Sequence, residues 1–171
     1  KIFNDSIIHI FSEMGLLSIN LENILNGEVE TIAEQISSKL REIFIERKRS
    51  FWFAGYGETT TKVIGKGKGG RNLELSLRIM MKMNPEEIFS FISIATDGDD
   101  GNSLMMGMIT DNILKERTTN VDLEKYLKNS DSATFAEDFG VAVRTGYTGS
   151  NVSDIIIGYY GGLIENVNRE E

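Results

Sequence analysis

The residues best suited to bind an anion lie between Gly65 and Asn72. This segment reads Gly-Lys-Gly-Lys-Gly-Gly-Arg-Asn, so four glycines and three cations lie together in a chain whose formal net charge is −8. Glycine lets the backbone approach a ligand closely, and backbone N–H groups at the start of a helix favour phosphate or carboxylate. Residues 65–70, here named the glycine loop, therefore predict an anion site in which N–H groups cradle phosphate oxygens, with Arg71 at a helix start. The alternative is a flexible surface turn kept soluble by its lysines.

The same segment comes close to two nucleotide-binding patterns without satisfying either. Its first, second and fourth glycines match Gly-x-Gly-x-x-Gly, but the dinucleotide version also needs an acidic residue at a strand end about 20 residues later. Glu86 and Glu87 instead precede a predicted strand. A Walker A loop requires Lys followed by Ser or Thr where Arg71 and Asn72 stand. The residues thus indicate anion binding without specifying a nucleotide.

Three carboxylates follow the strongly apolar run at residues 88–95. They belong to the segment Thr-Asp-Gly-Asp-Asp-Gly, from Thr96 to Gly101. Open α/β sheets bind ligands outside strand ends of this kind, and carboxylates there commonly hold Mg²⁺ or a substrate hydroxyl. Asp97 and Asp100 are therefore candidate ligands. The alternative is a cluster that caps the N-terminus of a helix.

Two further segments combine glycines with short polar side chains. Residues 145–151, here named the hydroxyl loop, read Thr-Gly-Tyr-Thr-Gly-Ser-Asn. Such side chains and the backbone can donate hydrogen bonds to an oxyanion, although a polar turn between two strands would look the same. Residues 55–60, Gly-Tyr-Gly-Glu-Thr-Thr, fit either a tight turn or the close approach of a ligand.

Composition excludes several classes of site. The chain has no cysteine and one histidine, which excludes disulfides, thiolate metal sites and histidine-cluster metal sites. We expect His9 to lie on a helix surface or to be partly buried. The acidic balance argues against a nucleic-acid partner, and no apolar run approaches the ~20 residues that span a bilayer. We expect a cytoplasmic protein with no membrane partner.

The apolar patterns predict helices and strands in alternation. Helices are expected at 7–14, 28–47, 73–83, 103–114, 121–127 and 134–139, and strands at 51–54, 59–64, 88–95, 141–143 and 154–160. The first two strands are too close for a parallel crossover, so at least one antiparallel pair is required. Strand 88–95 is apolar on both faces, which predicts helices on both sides of it. We therefore predict an α/β fold with three α/β/α layers and a mixed β-sheet, followed by a charged tail that frays after Gly162.

Taken together, these segments resemble the C-terminal MOFRL domain of the glycerate 2-kinase family, whose members are often labelled hydroxypyruvate reductase. The family's successive motifs are met, in the same order and spacing, by residues 55–60, 65–74, 96–101, 131–135 and 145–152. The resemblance covers about residues 27–157. It implies that residues 27–171 form the MOFRL-like domain and that residues 1–26 are a remnant of, or a linker from, an N-terminal α/β domain.

The resemblance implies ATP-dependent phosphorylation of D-glycerate at its 2-hydroxyl, with Mg²⁺. The site is expected in a cleft between this domain and an N-terminal α/β domain, supplied in cis or in trans, so this chain alone would be an incomplete catalyst. A homodimer is also possible within this resemblance. Two alternatives stay open: a stand-alone, non-catalytic anion- or nucleotide-binding module and, lower in rank, an NAD(P)H-dependent hydroxypyruvate reductase, whose dinucleotide pattern lacks its acidic residue.

The resemblance also gives the candidate residues their roles. Arg71 would clamp a phosphate or the glycerate carboxylate. Asp97 would bind Mg²⁺ or orient the attacking hydroxyl, with Asp100 as a second metal ligand. The expected substrate and phosphate contacts are Gly67, Gly69, Gly70, Asn72, Thr96, Thr148, Gly149, Ser150 and Asn151.

The chain departs from the family pattern at a few positions. Asn102 and Leu104 stand where the family usually has a proline and an acidic residue. Leu73 replaces a usual Gln, and Tyr147 replaces a usual Pro. The missing carboxylate at Leu104 weakens the expectation of a metal site next to Asp100.

Overall fold

A mixed seven-stranded sheet organises the fold in the computed structural model, which describes residues 2–163. The strands are β1 Ser18–Asn20, β2 Leu25–Glu28, β3 Phe51–Thr60, β4 Glu87–Ala95, β5 Gly107–Asp111, β6 Ala142–Val143 and β7 Asp154–Leu163. The helices are α1 Ile2–Glu13, α2 Val29–Arg47, α3 Arg71–Lys82, α4 Asn112–Arg117, α5 Glu124–Lys128 and α6 Ser132–Asp138. The strand order is β1-β3-β7-β4-β5-β6, with β2 also paired to β3. Strands β1 and β2 run parallel to β3, and the other pairs are antiparallel.

Helix α2 forms because its apolar residues recur every three to four positions and face the sheet. Ile32, Ile36, Leu40 and Ile43 are all buried, and the exposed face carries the charged side chains. The helix ends at Lys48, which adopts the left-handed conformation with φ of 52° and donates its backbone N–H to Phe44. Helix α3 packs beside α2 on the same face of the sheet.

Helices lie on both faces of the sheet, which confirms the predicted three-layer α/β/α architecture. On one face, Phe44 of α2 packs edge-on against Tyr160, which in turn contacts Phe51. Trp52 points to the opposite face because side chains alternate along a strand. There Phe11 of α1 lies 5.3 Å from Trp52, measured between ring centroids.

Residues 51–54 and 59–64 do not form two strands, so the prediction of a break between them is wrong. Most of this region is the single strand β3, and the antiparallel pairs of the sheet are β3–β7, β4–β7, β4–β5 and β5–β6. Gly55 lies inside β3. A glycine is needed there because a Cβ would come within 2.9 Å of Ile24 and 3.2 Å of Ile156. The glycine makes room for neighbouring side chains and does not turn the chain.

The predicted helix at 103–114 is also wrong, because this region forms β5 and then α4. The backbone of β5 lies so close to β4 that a Cβ on Gly107 would overlap the carbonyl oxygen of Ser93. Along β5, exposed Ile109 is followed by fully buried Thr110, which is the alternation of a strand. Tertiary pairing has overridden the apolar pattern that predicted a helix.

Within residues 2–163, helices cover strand β4 on one face only, contrary to the prediction from its apolar sequence. Phe89 and Phe91 are buried on the face of α3. On the other face Ile92 and Ile94 are half-buried and Ser90 is exposed. Helix α1 covers that face only at the β1 and β3 end of the sheet.

The remaining predicted elements are confirmed as α1, α2, α3, α5, α6, β4, β6 and β7, with shifted ends, whereas β1 and β2 were not predicted. His9 lies on the exposed surface of α1, as expected. Both β1 and β2 pair with β3. The domain division at residue 26 stays a prediction. No helix within residues 2–163 has the length and apolar character needed to cross a bilayer. The tail was predicted to fray after Gly162. Leu163 still belongs to β7, and residues 164–171 lie outside the described part of the chain.

Candidate functional site

An open cleft of about 730 Å³ lies where β3 ends and α3 begins. Its walls are the end of β3, the glycine loop and part of the segment 129–132, with residues 100–102 at the base. The predicted site residues in its lining are Gly67, Gly69, Gly70, Arg71 and Asp100. Thr96, Asp97 and the hydroxyl loop are not part of this lining.

Arg71 is the first residue of α3 and is held on two sides by carboxylates. Its Nε and Nη2 donate to Asp154 at 2.5 and 3.0 Å, a bidentate pair. Its Nη1 lies 2.9 Å from Oε1 of Glu58. The hydrogen bonds to Asp154 raise the pKa of Arg71, so this guanidinium stays charged. A fixed cation is thus placed in the wall of the cleft.

Asp100 stabilises the start of α3 from a distant part of the chain. Gly70 is the N-cap of α3 and has no side chain, so the carboxylate of Asp100 accepts the N–H groups of Asn72 and Leu73, both at 2.9 Å. The side-chain amide of Asn72 also donates to Asp100, at 3.1 Å. Burial raises the pKa of Asp100, and these three hydrogen bonds oppose that rise. Its role as a metal ligand stays a prediction, with both carboxylate oxygens already engaged.

The glycine loop is held by hydrogen bonds within the chain, and its role as a phosphate cradle stays a prediction. The N–H of Gly67 donates to the carbonyl of Asn129, that of Lys68 to the carboxylate of Asp131, and that of Gly69 to the side chain of Asn102, each at 2.9 Å. These three donors are therefore already satisfied.

The glycines of this loop are required by space. A Cβ on Gly67 would overlap Asp131, and one on Gly69 would lie 2.5 Å from the hydroxyl of Ser132. A Cβ on Gly70 would overlap Asp100. The loop can approach the segment 129–132 and Asp100 only because these positions have no side chain.

Asn72, predicted to contact the ligand, lies behind the cleft wall. It is 1% exposed. Its side-chain carbonyl accepts a hydrogen bond from Ser93 at 2.6 Å, while its NH₂ group donates to Asp100. Asn72 thus joins α3, β4 and Asp100 inside the protein.

The hydroxyl loop lies beside the segment 96–101. The hydroxyl of Thr148 donates to the carbonyl of Thr96 at 2.6 Å, and the N–H of Thr148 donates to the carbonyl of Asp97 at 2.9 Å. Thr148, Gly149, Ser150 and Asn151 are exposed. The structure therefore brings Thr96 and Asp97 together with the hydroxyl loop, next to the cleft that Asp100 helps to form.

The donor set for a divalent cation is small. No group of three or more His, Cys, Asp or Glu side chains suited to a metal occurs within residues 2–163. Mg²⁺ is usually held by one or two carboxylates together with substrate phosphates and water. Asp97 fits this requirement, because its carboxylate is only partly buried and accepts just one long hydrogen bond, from the N–H of Asp99 at 3.3 Å.

Sequence reasoning missed three side chains that shape the cleft: Glu58, Thr59 and Asp154. Thr59 is 2% exposed and lies in the cleft wall, and its hydroxyl has no hydrogen-bond partner in the described structure. A buried polar atom without a partner costs free energy unless a ligand or water satisfies it. Glu58 and Thr59 belong to the segment 55–60, which fitted either a tight turn or the close approach of a ligand. Asp154 looked like the first residue of an ordinary strand.

Comparisons with known proteins agree with this architecture. The MOFRL family model matches residues 51–154. A glycerate 2-kinase of Picrophilus torridus is 37% identical over 156 residues, which cover 91% of this chain and 37% of that protein. A D-glycerate 2-kinase of Thermotoga maritima is 34% identical over 151 residues, covering 85% of this chain and 36% of that protein.

Two solved structures are similar to this chain in fold. The crystal structure of a glycerate kinase from Thermotoga maritima superposes with a TM-score of 0.82 at 30% identity, covering 91% of this chain and 39% of that one. A protein of Pyrococcus horikoshii gives a TM-score of 0.79 at 31% identity, covering 93% and 38%. The chain therefore spans little more than a third of the length of these relatives.

Proposed function

The chain belongs to the MOFRL family, and from this premise we propose that it is the C-terminal part of a glycerate 2-kinase-type phosphotransferase. The observation that carries the proposal is Arg71, a fixed cation in the wall of an open cleft. The names of the relatives, glycerate 2-kinase and D-glycerate 2-kinase, supply the reaction class. The substrates would be ATP and D-glycerate.

In the proposed reaction, the 2-hydroxyl oxygen of D-glycerate forms a bond to the γ-phosphorus of ATP. The bond from that phosphorus to the bridging oxygen breaks, ADP leaves with the electron pair, and the hydroxyl proton passes to a base or to solvent. Such a reaction needs positioning and charge neutralisation above all. Arg71 would bind an oxyanion of the substrate carboxylate or of the transferring phosphoryl group.

The carboxylate of Asp97 would hold Mg²⁺ or orient the attacking hydroxyl. When bound, Mg²⁺ would neutralise charge on the phosphate oxygens. The buried hydroxyl of Thr59 would find its missing partner in a bound water. The exposed hydroxyl loop would contact the ligand from the side of Thr96 and Asp97 through Thr148, Gly149, Ser150 and Asn151.

The cleft is open to solvent. We infer that an N-terminal α/β domain, in cis or in trans, supplies the facing wall, with the domain division near residue 26. The relatives are long enough to carry such a domain, since more than half of each lies outside the match. The cytoplasmic location and the homodimer stay predictions. No described contact favours the reductase or the non-catalytic module.

The test is an ATP-dependent assay of the full-length protein with D-glycerate, in which the phosphorylated position is assigned by NMR. Arg71→Lys keeps the charge but loses the bidentate geometry, so we expect kcat/KM to fall by about a hundredfold. The matched control is Arg144→Lys, which alters an exposed ion pair with Glu137 and should leave the rate unchanged. An unchanged rate in Arg71→Lys would remove Arg71 from the mechanism.

A further inference from the structure

We propose that Glu58 acts as a displaceable internal anion, which occupies in the ligand-free protein the position on Arg71 that the substrate oxyanion takes. This inference rests on the proposed function of the same cleft. It assigns to Glu58 the task of setting anion affinity. The ligand chemistry is an oxyanion, either a carboxylate or a phosphate.

The guanidinium of Arg71 has two edges that can bind an oxyanion. The edge formed by Nε and Nη2 is fully used by the bidentate pair with Asp154. The remaining edge carries Nη1, and there a single oxygen of Glu58 lies 2.9 Å away in an ion pair. An incoming oxyanion can therefore reach Arg71 only at the edge where Glu58 now lies.

The two carboxylates differ in how firmly they are held. The side chain of Asp154 is 3% exposed and that of Glu58 is 66% exposed. Asp154 lies in β7, in register with Gly57 of β3, so it cannot withdraw without disrupting the sheet. Glu58 can turn into solvent at little cost, because exposed ion pairs are weak. Asp154 would hold Arg71 in place while Glu58 exchanges with the ligand.

Charge around Arg71 makes this exchange necessary. Three carboxylates act on its guanidinium: Asp154, Glu58 and Asp100. With all three present an approaching anion meets a net negative site, and Glu58 is the exposed one among them.

The test measures anion binding by calorimetry on the full-length protein, with D-glycerate and inorganic phosphate titrated separately. Glu58→Gln removes the competing charge with little change in shape. We expect it to lower the Kd of at least one of the two anions by about two- to fivefold. The anion whose Kd falls identifies the oxyanion that Arg71 recognises.

The matched control is Glu30→Gln, which makes the same charge change at an exposed carboxylate that pairs with Arg78 and should leave both Kd values unchanged. Adding Arg71→Ala to Glu58→Gln should abolish the gain. An equal or higher Kd in Glu58→Gln, or no detectable binding of either anion, overturns the inference. Tighter binding in Glu58→Gln without ATP-dependent phosphorylation of D-glycerate would reject the proposed kinase and leave the role of Glu58 standing.

Discussion

The glycine loop and the hydroxyl loop look alike in sequence but differ in what their glycines do. In the glycine loop, residues 65–70, the glycines face other parts of the chain so closely that a Cβ at 67, 69 or 70 would collide. In the hydroxyl loop, residues 145–151, Gly146 and Gly149 have φ of 69° and 74° with nothing within 4 Å of an added Cβ. One loop needs glycine for space and the other for backbone conformation.

The glycine loop is therefore packed against other parts of the chain, whereas the hydroxyl loop is exposed. The glycine loop fixes the start of α3, and with it Arg71, through the close approach of Gly70 to Asp100 and through hydrogen bonds to the segment 129–132. The hydroxyl loop is anchored through Thr148 and leaves its other side chains in solvent. Substitutions in the first loop should therefore act on stability, whereas those in the second should act on ligand binding.

The largest effect is expected from Gly70→Ala. The backbone at Gly70 is extended, with φ of −161°, so alanine is not strained there. Its methyl group would instead overlap the carboxylate and the carbonyl of Asp100. Overpacking and partial loss of the helix cap together should lower the free energy of unfolding by about 3 kcal/mol. Urea denaturation measures this. A loss smaller than that of Gly149→Ala would contradict the distinction between the loops.

A middle-sized effect is expected from Asp100→Asn. One amide oxygen cannot replace two carboxylate oxygens that accept three hydrogen bonds, so the free energy of unfolding should fall by about 1–3 kcal/mol. The matched variant Asp97→Asn changes an only partly buried carboxylate and should leave stability intact while raising the KM for Mg-ATP. If Asp100→Asn leaves stability intact, Asp100 is not the cap that the geometry indicates.

The stability difference between the wild type and Asp100→Asn should depend on pH. Burial raises the pKa of Asp100 in the folded state, so the unfolded chain releases this proton at a lower pH than the folded protein does. The wild type should therefore lose this contribution to stability as pH rises from the unfolded value, about 3.9, through the raised folded pKa. Asp100→Asn lacks this group, so the stability difference between the two proteins should shrink as pH rises. A difference that grows with pH would show the opposite shift.

Local patterns were sufficient for most of the fold. The spacing of Ile32, Ile36 and Leu40 predicts α2, and the apolar run of β4 predicts a strand, because both patterns report burial directly. The pattern failed at β5, where pairing of Gly107 with the strand of Ser93 decides the conformation. It also failed at Gly55, where the side chain of Ile24 leaves no room for a Cβ. Contacts between residues distant in sequence are invisible to periodicity.

The candidate site was predictable only in part for the same reason. Arg71 stood out because a cation after glycines at a helix start is a local signal. Its partners did not, since Asp154 lies 83 residues away along the chain and reads as the first residue of a strand. The internal hydrogen bonds of the glycine loop were not predictable, because their acceptors, Asn129, Asp131 and Asn102, come from other segments.

The smallest effect on stability is expected from Gly149→Ala, and it distinguishes the two loops most sharply. Alanine meets no atom there, so only the left-handed backbone conformation resists it, at a cost of about 1 kcal/mol. Because the loop is exposed, part of that strain can relax locally, and the change in urea midpoint should be small. In the full-length protein the same variant should raise the KM for substrate while the free energy of unfolding changes little. A loss of stability as large as that of Gly70→Ala would mean that the hydroxyl loop is packed against another part of the full-length protein, and the comparison would fail.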